Sequence, residues 1–442
     1  MEVLYNSDGT PLIAFGKNVV AITTNVGKKD KVNEVLVDKF TYNQREYAMW
    51  GPNNRQPEDN EQIINKTPVL RTGLNFKSRV TFGQGCIPVN IDGYDANNNE
   101  IYKIVQDKEV INYLNNYSFR TYLHNIFRDT FKHANAFPVY TFNIDGSKIL
   151  RVSAFSARHC RISIDKTKLL VYSDFQNTLP SKEGSATEID LLSETDPFYH
   201  LWLLKEQKKI TGKPIAFPRI KNYFCNNDYY ATPDWYSARE SGWLEIAHKT
   251  VKFISKSYDN AMAIKFHVKI PYEYWEKHFP KSENPNHKER QEKINQFQDR
   301  IEAALCGAEN ASKALFSHFT ALELEGSDKW EIDEITSKKV LDEKLSTSAA
   351  SNSEILFSLM VNPSVLGAGM PGGPYSGNAG SGSDIREGFT VATLLSHIER
   401  QQALDPIEMM LRYNGFEDIQ IKYKSTFLTT LDTGKSTKTE LS

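Results

Sequence analysis

Residues 244–270 carry two incompatible hydrophobic periods back to back, and that junction limits the possible folds more than any other stretch. Leu244, Ala247, Val251, Ile254, Tyr258 and Ala261 are spaced by 3, 4, 3, 4 and 3 residues. That is the heptad-like period of one helix face. Pro233 is suited to a first helical turn, so the pattern predicts one helix over 233–262. Such a seam packs either into the core of its own chain or against a copy of itself or a partner helix, and the spacing fits both. From Ile264 the period is two: Ile264, Phe266, Val268 and Ile270 alternate with Lys265, His267 and Lys269, which is strand spacing. A long helix must therefore deliver the chain directly into a sheet.

Downstream, HKERQEKINQFQDRIEAALCG predicts a second amphipathic helix carrying Ile294, Phe297, Ile301 and Leu305, with Gly307 as its cap. LELEG and KWEIDEI read as strands. A further helix covers 337–361, and its middle, STSAASNS, is small and polar. Small side chains let another backbone approach closely, and they also leave a smooth face on a helix that lines an opening. NPSVLGAGMPGGPYSGNAGSGSD follows at 362–384. Eight of the 24 glycines fall between 367 and 388, and a loop this long is functional or a disordered linker. Asp384 is placed to cap the next helix, which carries Ile385, Phe389, Ala392 and Leu395. Pro406 is expected to restart or kink it. IQIKYKSTF reads as a strand and LDTGKSTKTELS as a frayed tail.

Upstream, residues 1–66 are polar, and GPNNRQPEDNEQ at 51–62 reads as a loop. Pro68 opens a helix with Val69, Leu70, Leu74 and Val80 on its apolar side. Phe119, Leu123, Phe127 and Phe131 recur every fourth residue of a helix over 119–134, which Pro138 is expected to stop. PVYTFNI and SKILRV flank Asp145-Gly146, a hairpin signal, and CRISIDKTKLLVYS adds further β structure. The Ser-, Thr- and Glu-rich stretch 178–196 reads as an exposed loop. Helices followed by hairpins predict an α+β fold.

The 442 residues suit two or three structural units. Lys and Arg number 53 against 55 Asp and Glu, a net charge of −2. That balance argues against a protein gripping nucleic acid along a basic face, because such binding is driven by neutralising phosphates. The four scattered cysteines read as reduced thiols. Neither a signal peptide nor an apolar run long enough to span a membrane is expected. GKST at 434–437 is no phosphate loop, since Thr stands at 429 where glycine is required. The glycine-rich run follows a helix and not a strand, so it is no dinucleotide fingerprint. His159-Cys160 is an isolated pair of metal-type residues, and neither a metal site nor a cofactor is expected. No GxSxG stretch or paired carboxylates can be nominated, so no catalytic residue is expected.

Several segments, in order, resemble the portal proteins of long-tailed bacteriophages across residues 66–425. RDTFKHANAFPVYTFNIDGSKILRVSAFSARHCRIS is similar to that family's helix and following "GNAY"-like strands. NDYYATPDWYSARESGWLEIAHKTVKFISKSYDNA is similar to its aromatic turn before a long helix. FSLMVNPSVLGA is similar to its helix ending in an "xxPxxLG" turn, and GSGSDIREGFTVATLL to the loop and helix beyond it. Residues 1–66 and the tail do not share in the likeness, and the glycine-rich loop is longer than in many members.

The resemblance implies a portal-like α+β fold with a mixed helix and hairpin wing, long stem helices and a small α/β clip. Its parts would be an N-terminal extension at 1–66, a wing at 67–232, stem helices at 233–262 and 336–361 around a clip at 263–335, a tunnel loop at 362–384, a wing or small crown at 385–430, and a tail at 431–442. It implies a ring, expected to be dodecameric, at one capsid vertex of the virion, assembled in the host cytoplasm. The expected partners are further copies of the chain, double-stranded DNA in transit, a terminase motor, a head–tail adaptor and the major capsid protein, with no membrane. DNA-facing positions would be Asn362, Pro363, Gly367, Gly369, Gly372, Gly373, Tyr375, Gly377, Asn378, Gly380 and Gly382. Lys338, Lys339, Lys344 and Arg386 flank them, either to meet phosphates or as solvated helix-end charges. Subunit packing would fall to Leu244, Val251, Ile254 and Tyr258. The alternatives are another head or connector component, or a nucleic-acid-processing enzyme whose site is not apparent in sequence.

Overall fold

A computed structural model describes residues 38–96, 98, 100–181, 184–210, 212–224, 229–261, 266–283, 285–306, 314–319, 330–334, 338–366, 382–428 and 437–441, and strands β1 (Val3–Tyr5), β2 (Pro11–Phe15) and β3 (Asn18–Val19). Those first strands form a sheet of order β1-β2-β3.

Strands β4 (Lys39–Tyr42) and β5 (Arg45–Ala48) form a hairpin. Its turn residues, Asn43 and Gln44, have φ of 45° and 62°, the left-handed pair that a tight hairpin turn demands. Phe40, Tyr42 and Tyr47 pack with Leu170 and Phe175, and Trp50 stacks on Tyr230 at 4.4 Å. Residues 38–66 are thus built into the main body and are not a loose extension. The expected loop at 51–62 holds a 3-10 turn, Pro52–Asn54, and helix α1 (Gln56–Lys66). Pro57 in its first turn gives up no needed hydrogen bond, and Glu58 and Asp59 suit the positive end of the helix dipole.

Helix α2 (Pro68–Phe82) buries Leu70, Leu74 and Val80 as its spacing predicts. Strands β6 (Cys86–Tyr94) and β7 (Glu100–Ile104) follow, antiparallel, with a bulge between Ile91 and Gly93. Helix α3 (Lys108–Leu114) is capped by Asp107, which accepts hydrogen bonds from the amides of Glu109 and Val110. In α4 (Tyr117–His133), Phe119, Leu123, Phe127 and Phe131 are all buried. That helix ends because Ala134 turns left-handed, at φ 57°. Pro138, expected to stop it, lies inside strand β8 (Asn135–Phe142).

Strands β9 (Ile149–Phe155), β10 (Cys160–Ile162), β11 (Lys168–Val171) and β12 (Thr187–Leu191) come next, then helix α5 (Pro197–Glu206) and strands β13 (Ile215–Ala216) and β14 (Ile220–Lys221). They form a seven-stranded sheet of order β10-β11-β12-β13-β8-β14, with β9 paired to β8 across the predicted hairpin. Strand β12 lies in the stretch expected as an exposed loop. Only Ile189 and Leu191 alternate inward there, too short a signal to stand out among Ser, Thr and Glu.

The predicted single helix over 233–262 is two: α6 (Tyr236–Glu240) and α7 (Trp243–Ala261). Gly242, at φ 87°, breaks the path where other residues would be strained. Strand β15 (Phe266–Pro271), helices α8 (Tyr272–His278) and α9 (His287–Cys306), and strands β16 (Ala314–Phe319) and β17 (Glu331–Glu334) form the next unit, its sheet ordered β16-β15-β17. Strands β15 and β16 are parallel, which requires a long crossover such as the helices between them. Val268, Ile270, Trp275 and Ile294 make a core of their own, separate from the main one.

Helix α10 (Lys338–Ser358) returns the chain, followed by α11 (Gly382–Leu395), α12 (His397–Tyr413), and strands β18 (Gln420–Leu428) and β19 (Thr437–Leu441). The helix break falls at Ser396, ten residues before Pro406, which sits inside α12. Buried tyrosine hydroxyls donate to carbonyls at and before this proline: Tyr122 to Ala403 at 2.9 Å and Tyr140 to Pro406 itself at 3.0 Å. Part of the expected frayed tail is strand β19, at the edge of the sheet β19-β18-β6-β7. Residues of α2, α4, α6, α7, α10, α12 and β18 share the main core. Within it, Arg400 is buried and donates to the carbonyls of Thr81 (3.0 Å) and Val80 (3.0 Å) and to the Ser425 hydroxyl (2.6 Å). Those carbonyls belong to the last turn of α2, which has no helical donors left for them.

Candidate functional site: two paired helices and the turn beyond them

Helices α7 and α10 pack against each other, and the other end of α10 packs on α6 and α2. The small unit with its own core is inserted between them in sequence. The start of the α7 seam belongs to the chain itself, since Leu244 and Ala247 are buried in the main core. Val251 is exposed and Ile254 half-buried; the Tyr258 side chain lies outside the described residues. The seam therefore changes character along its length.

The small middle of α10 is used for close approach. Ala349 and Ser351 are buried, and Ile355, Leu356 and Leu359 continue into the core. Two of its hydroxyls bond within the helix: Thr347 donates to the Glu343 carbonyl at 2.9 Å and Ser351 to the Thr347 carbonyl at 2.8 Å, while the Ser353 hydroxyl is buried with no hydrogen-bond partner among the described residues. Lys344 crosses to α7, its ammonium 5.3 Å from the Phe253 ring centroid, a cation–π contact. Lys338 and Lys339 lie in the first turn of α10, with side chains outside the described residues.

After α10 the chain makes a 3-10 turn, Pro363–Leu366. Asn362 and Pro363 are thus in a built turn: the Asn362 side-chain oxygen accepts from the Ser364 amide at 3.0 Å. Gly388 on α11 lies against this turn. A Cβ there would fall 2.9 Å from Val365 Cγ1 and 3.1 Å from Asn362 Nδ2, so the absence of a side chain permits the contact. The sequence counted Gly388 only among the loop glycines. Gly367, Gly369, Gly372, Gly373, Tyr375, Gly377, Asn378 and Gly380 lie outside the described residues. Helix α11 starts at Gly382, so Asp384 stands in its first turn and not at the cap. Arg386 reaches back to the helix start, 3.2 Å from where a Gly382 Cβ would be.

A buried carboxyl sits beside Met360 and Val361, which follow α10. Glu399 faces a cavity of about 30 Å³ lined by Phe76, Lys77, Phe131, Met360 and Leu395. Its Oε2 is buried with no hydrogen-bond partner among the described residues. Burial holds its carboxyl above the usual range, opposed by the charge of Lys77. Lys77 itself pairs with Asp234 at 3.5 Å and lies 5.0 Å from the Phe131 ring.

Among the described residues no group of three or more His, Cys, Asp or Glu could hold a metal ion. The Cys160 thiol is buried and pushed up by that burial, and His159 is pushed down by burial and by Arg158. No helix of the described residues is long and apolar enough to cross a membrane.

No protein-family model matches the chain, and no curated protein matches it. Solved structures do. The neck of an empty gene transfer agent particle, computed with C6 symmetry, contains a chain with TM-score 0.52 and 15% identity, covering 84% of each chain. The neck of the native particle, computed with C12 symmetry, gives 0.51 and 13% over 83% of each. The virion of the native particle gives 0.51 and 14% over 84% of each. At these identities what is shared is the fold, and it spans most of both chains.

Proposed function

We propose that this chain is a portal subunit, one of a ring of copies at a capsid vertex through which double-stranded DNA is packaged, retained and ejected. One observation carries the reading: the fold is shared along more than four-fifths of the chain with a component of a gene transfer agent particle, seen in a neck computed with C12 symmetry. Twelvefold symmetry describes a closed ring of identical subunits. The local geometry supports the same reading. Two paired helices act as stem, the inserted unit with its own core as clip, and the glycine-rich connection between α10 and α11 as the loop facing DNA. A near-neutral chain suits a conduit, because many fixed phosphate contacts would hold DNA in place. In this reading the protein is a structural part of the virion without catalytic activity. The ring, expected to be dodecameric, is the platform for the terminase motor, the head–tail adaptor and the major capsid protein.

Native mass spectrometry and negative-stain imaging of the purified chain test this. Rings with a central hole are expected, and a monomer at every concentration and salt condition refutes the reading. Deleting 368–380 is expected to leave rings intact and impair DNA packaging or retention.

A further inference from the structure

A ring of identical subunits joins unlike surfaces head to tail, so each chain must display two faces that fit one another. Two exposed helical rows have that relation. On α11 and the start of α12, Val391, Leu394, Leu395 and Ile398 are 52%, 63%, 52% and 62% exposed. Their spacing places them on one face, and Ser396 between the helices keeps right-handed helical angles, φ −78° and ψ 0°. Glu387, exposed and four residues before Val391, opens the same row. Isolated surface leucines are ordinary, whereas a contiguous apolar row marks a contact.

The second row is on α7. Ile246 and Phe253 are 37% and 43% exposed and seven residues apart. Lys249 and Lys256 lie between and beyond them on the same face, and Lys344 of α10 sits over Phe253. Lys249 also pairs with Glu245 one turn away, at 2.6 Å, where both are exposed. One row is apolar with an acid at its start, and the other is apolar with lysines around it.

We infer that the α11 row of one subunit docks on the α7 row of a second copy of this chain. The inference rests on the ring reading above and names the surfaces that close the ring. Apolar area supplies the attraction, and the pairing of Glu387 with the lysine-flanked row sets which face meets which. The seam's buried residues, Leu244 and Ala247, then hold α7 in its own subunit while its outward side meets the neighbour.

The test compares the wild-type chain with L394E/I398E, F253E and, as a control on an exposed hairpin residue, I144E, by native mass spectrometry and negative stain. Wild type and I144E are expected to form rings, while L394E/I398E and F253E remain monomers with wild-type circular dichroism. Because a charged variant could fail for another reason, a double-cysteine chain, L394C/F253C, is oxidised alongside its two single-cysteine parents. A ladder of cross-linked species in the double variant alone supports the contact. If wild type forms rings that survive both charged variants, or that give no such ladder, the docking is overturned and the ring reading stands. If wild type itself forms no ring, the ring reading fails first.

Discussion

Replacing Arg400 should cost more than its lone charge suggests, because three neutral groups from two other elements depend on it. The residue is 3% exposed, and its guanidinium donates to Val80 O, Thr81 O and Ser425 Oγ at 3.0, 3.0 and 2.6 Å. It also lies 5.0 Å from the Tyr423 ring centroid. In R400M the apolar stem is kept and the three acceptors lose their donor. Each buried group left unsatisfied costs about 1–3 kcal/mol. The methionine avoids desolvating a cation, which returns several kcal/mol. The expected net loss is about 3 kcal/mol. R400K keeps the buried charge but cannot reach all three acceptors with one ammonium, so it should be at least as destabilised. Urea unfolding followed by circular dichroism gives the two losses. Hydrogen exchange should show protection falling first at the end of α2 and in β18. An R400M chain within about 0.5 kcal/mol of wild type, or a wild-type-like R400K, refutes the argument that this fork holds α2, α12 and β18 together.

Glu399 gives a pH dependence. Its carboxyl is raised above 4.5 by burial, so the neutral acid fits the fold, and stability is lost as pH rises through the unfolded value toward the folded one. E399Q should gain stability over wild type progressively as pH rises above about 4.5, and a difference that stays constant with pH contradicts this. W275A removes the centre of the small unit's core and should cost that unit about 3–5 kcal/mol. Hydrogen exchange should rise in 266–334 and stay unchanged in α4; loss of protection in both means that the cores are not independent. G388V places side-chain atoms into Val365 and Asn362 and should push the Pro363–Leu366 turn off α11. Limited proteolysis should then cut faster after 362, and an unchanged digestion pattern means that the contact does not hold the turn.

Long regular patterns were legible in the sequence. The four phenylalanine and leucine positions of α4 and the Asp145-Gly146 hairpin repeat a period often enough to outweigh their neighbours, and both elements form. What escaped had few periodic residues or breakers that fit their place. Pro57 reads as a loop former until it sits in the first turn of α1. Strand β12 offers two inward residues, and β6 carries Pro88 and the bulge near Gly93 within its run. At α6 and α7, the seam begins at Leu244, after the break. Extending the helix back to Pro233 crossed Gly242, whose conformation no periodicity encodes. Around the candidate site, the seam pointed to α7 but not to which residues face outward. Leu244 and Ala247 are held by α7's own subunit, and Ile246 and Phe253 lie off the seam. The α11 row did not stand out, because the spacing groups Leu395 with Ile385, Phe389 and Ala392 and not with Val391, Leu394 and Ile398. Only the packed helices show which side of α11 is left bare.

The chain leaves the main body along α7 and comes back along α10, with an independently cored unit between the two passages. A pull on that unit along the helices is therefore shared by both at once, each sheared against the main body that buries Leu244 and Ala247 of α7 and Ile355, Leu356 and Leu359 of α10, and not peeled one contact at a time. Resistance to shear grows with the length of surface packed on the main body, so α7 and α10 act as a double tether for a unit that carries its own core.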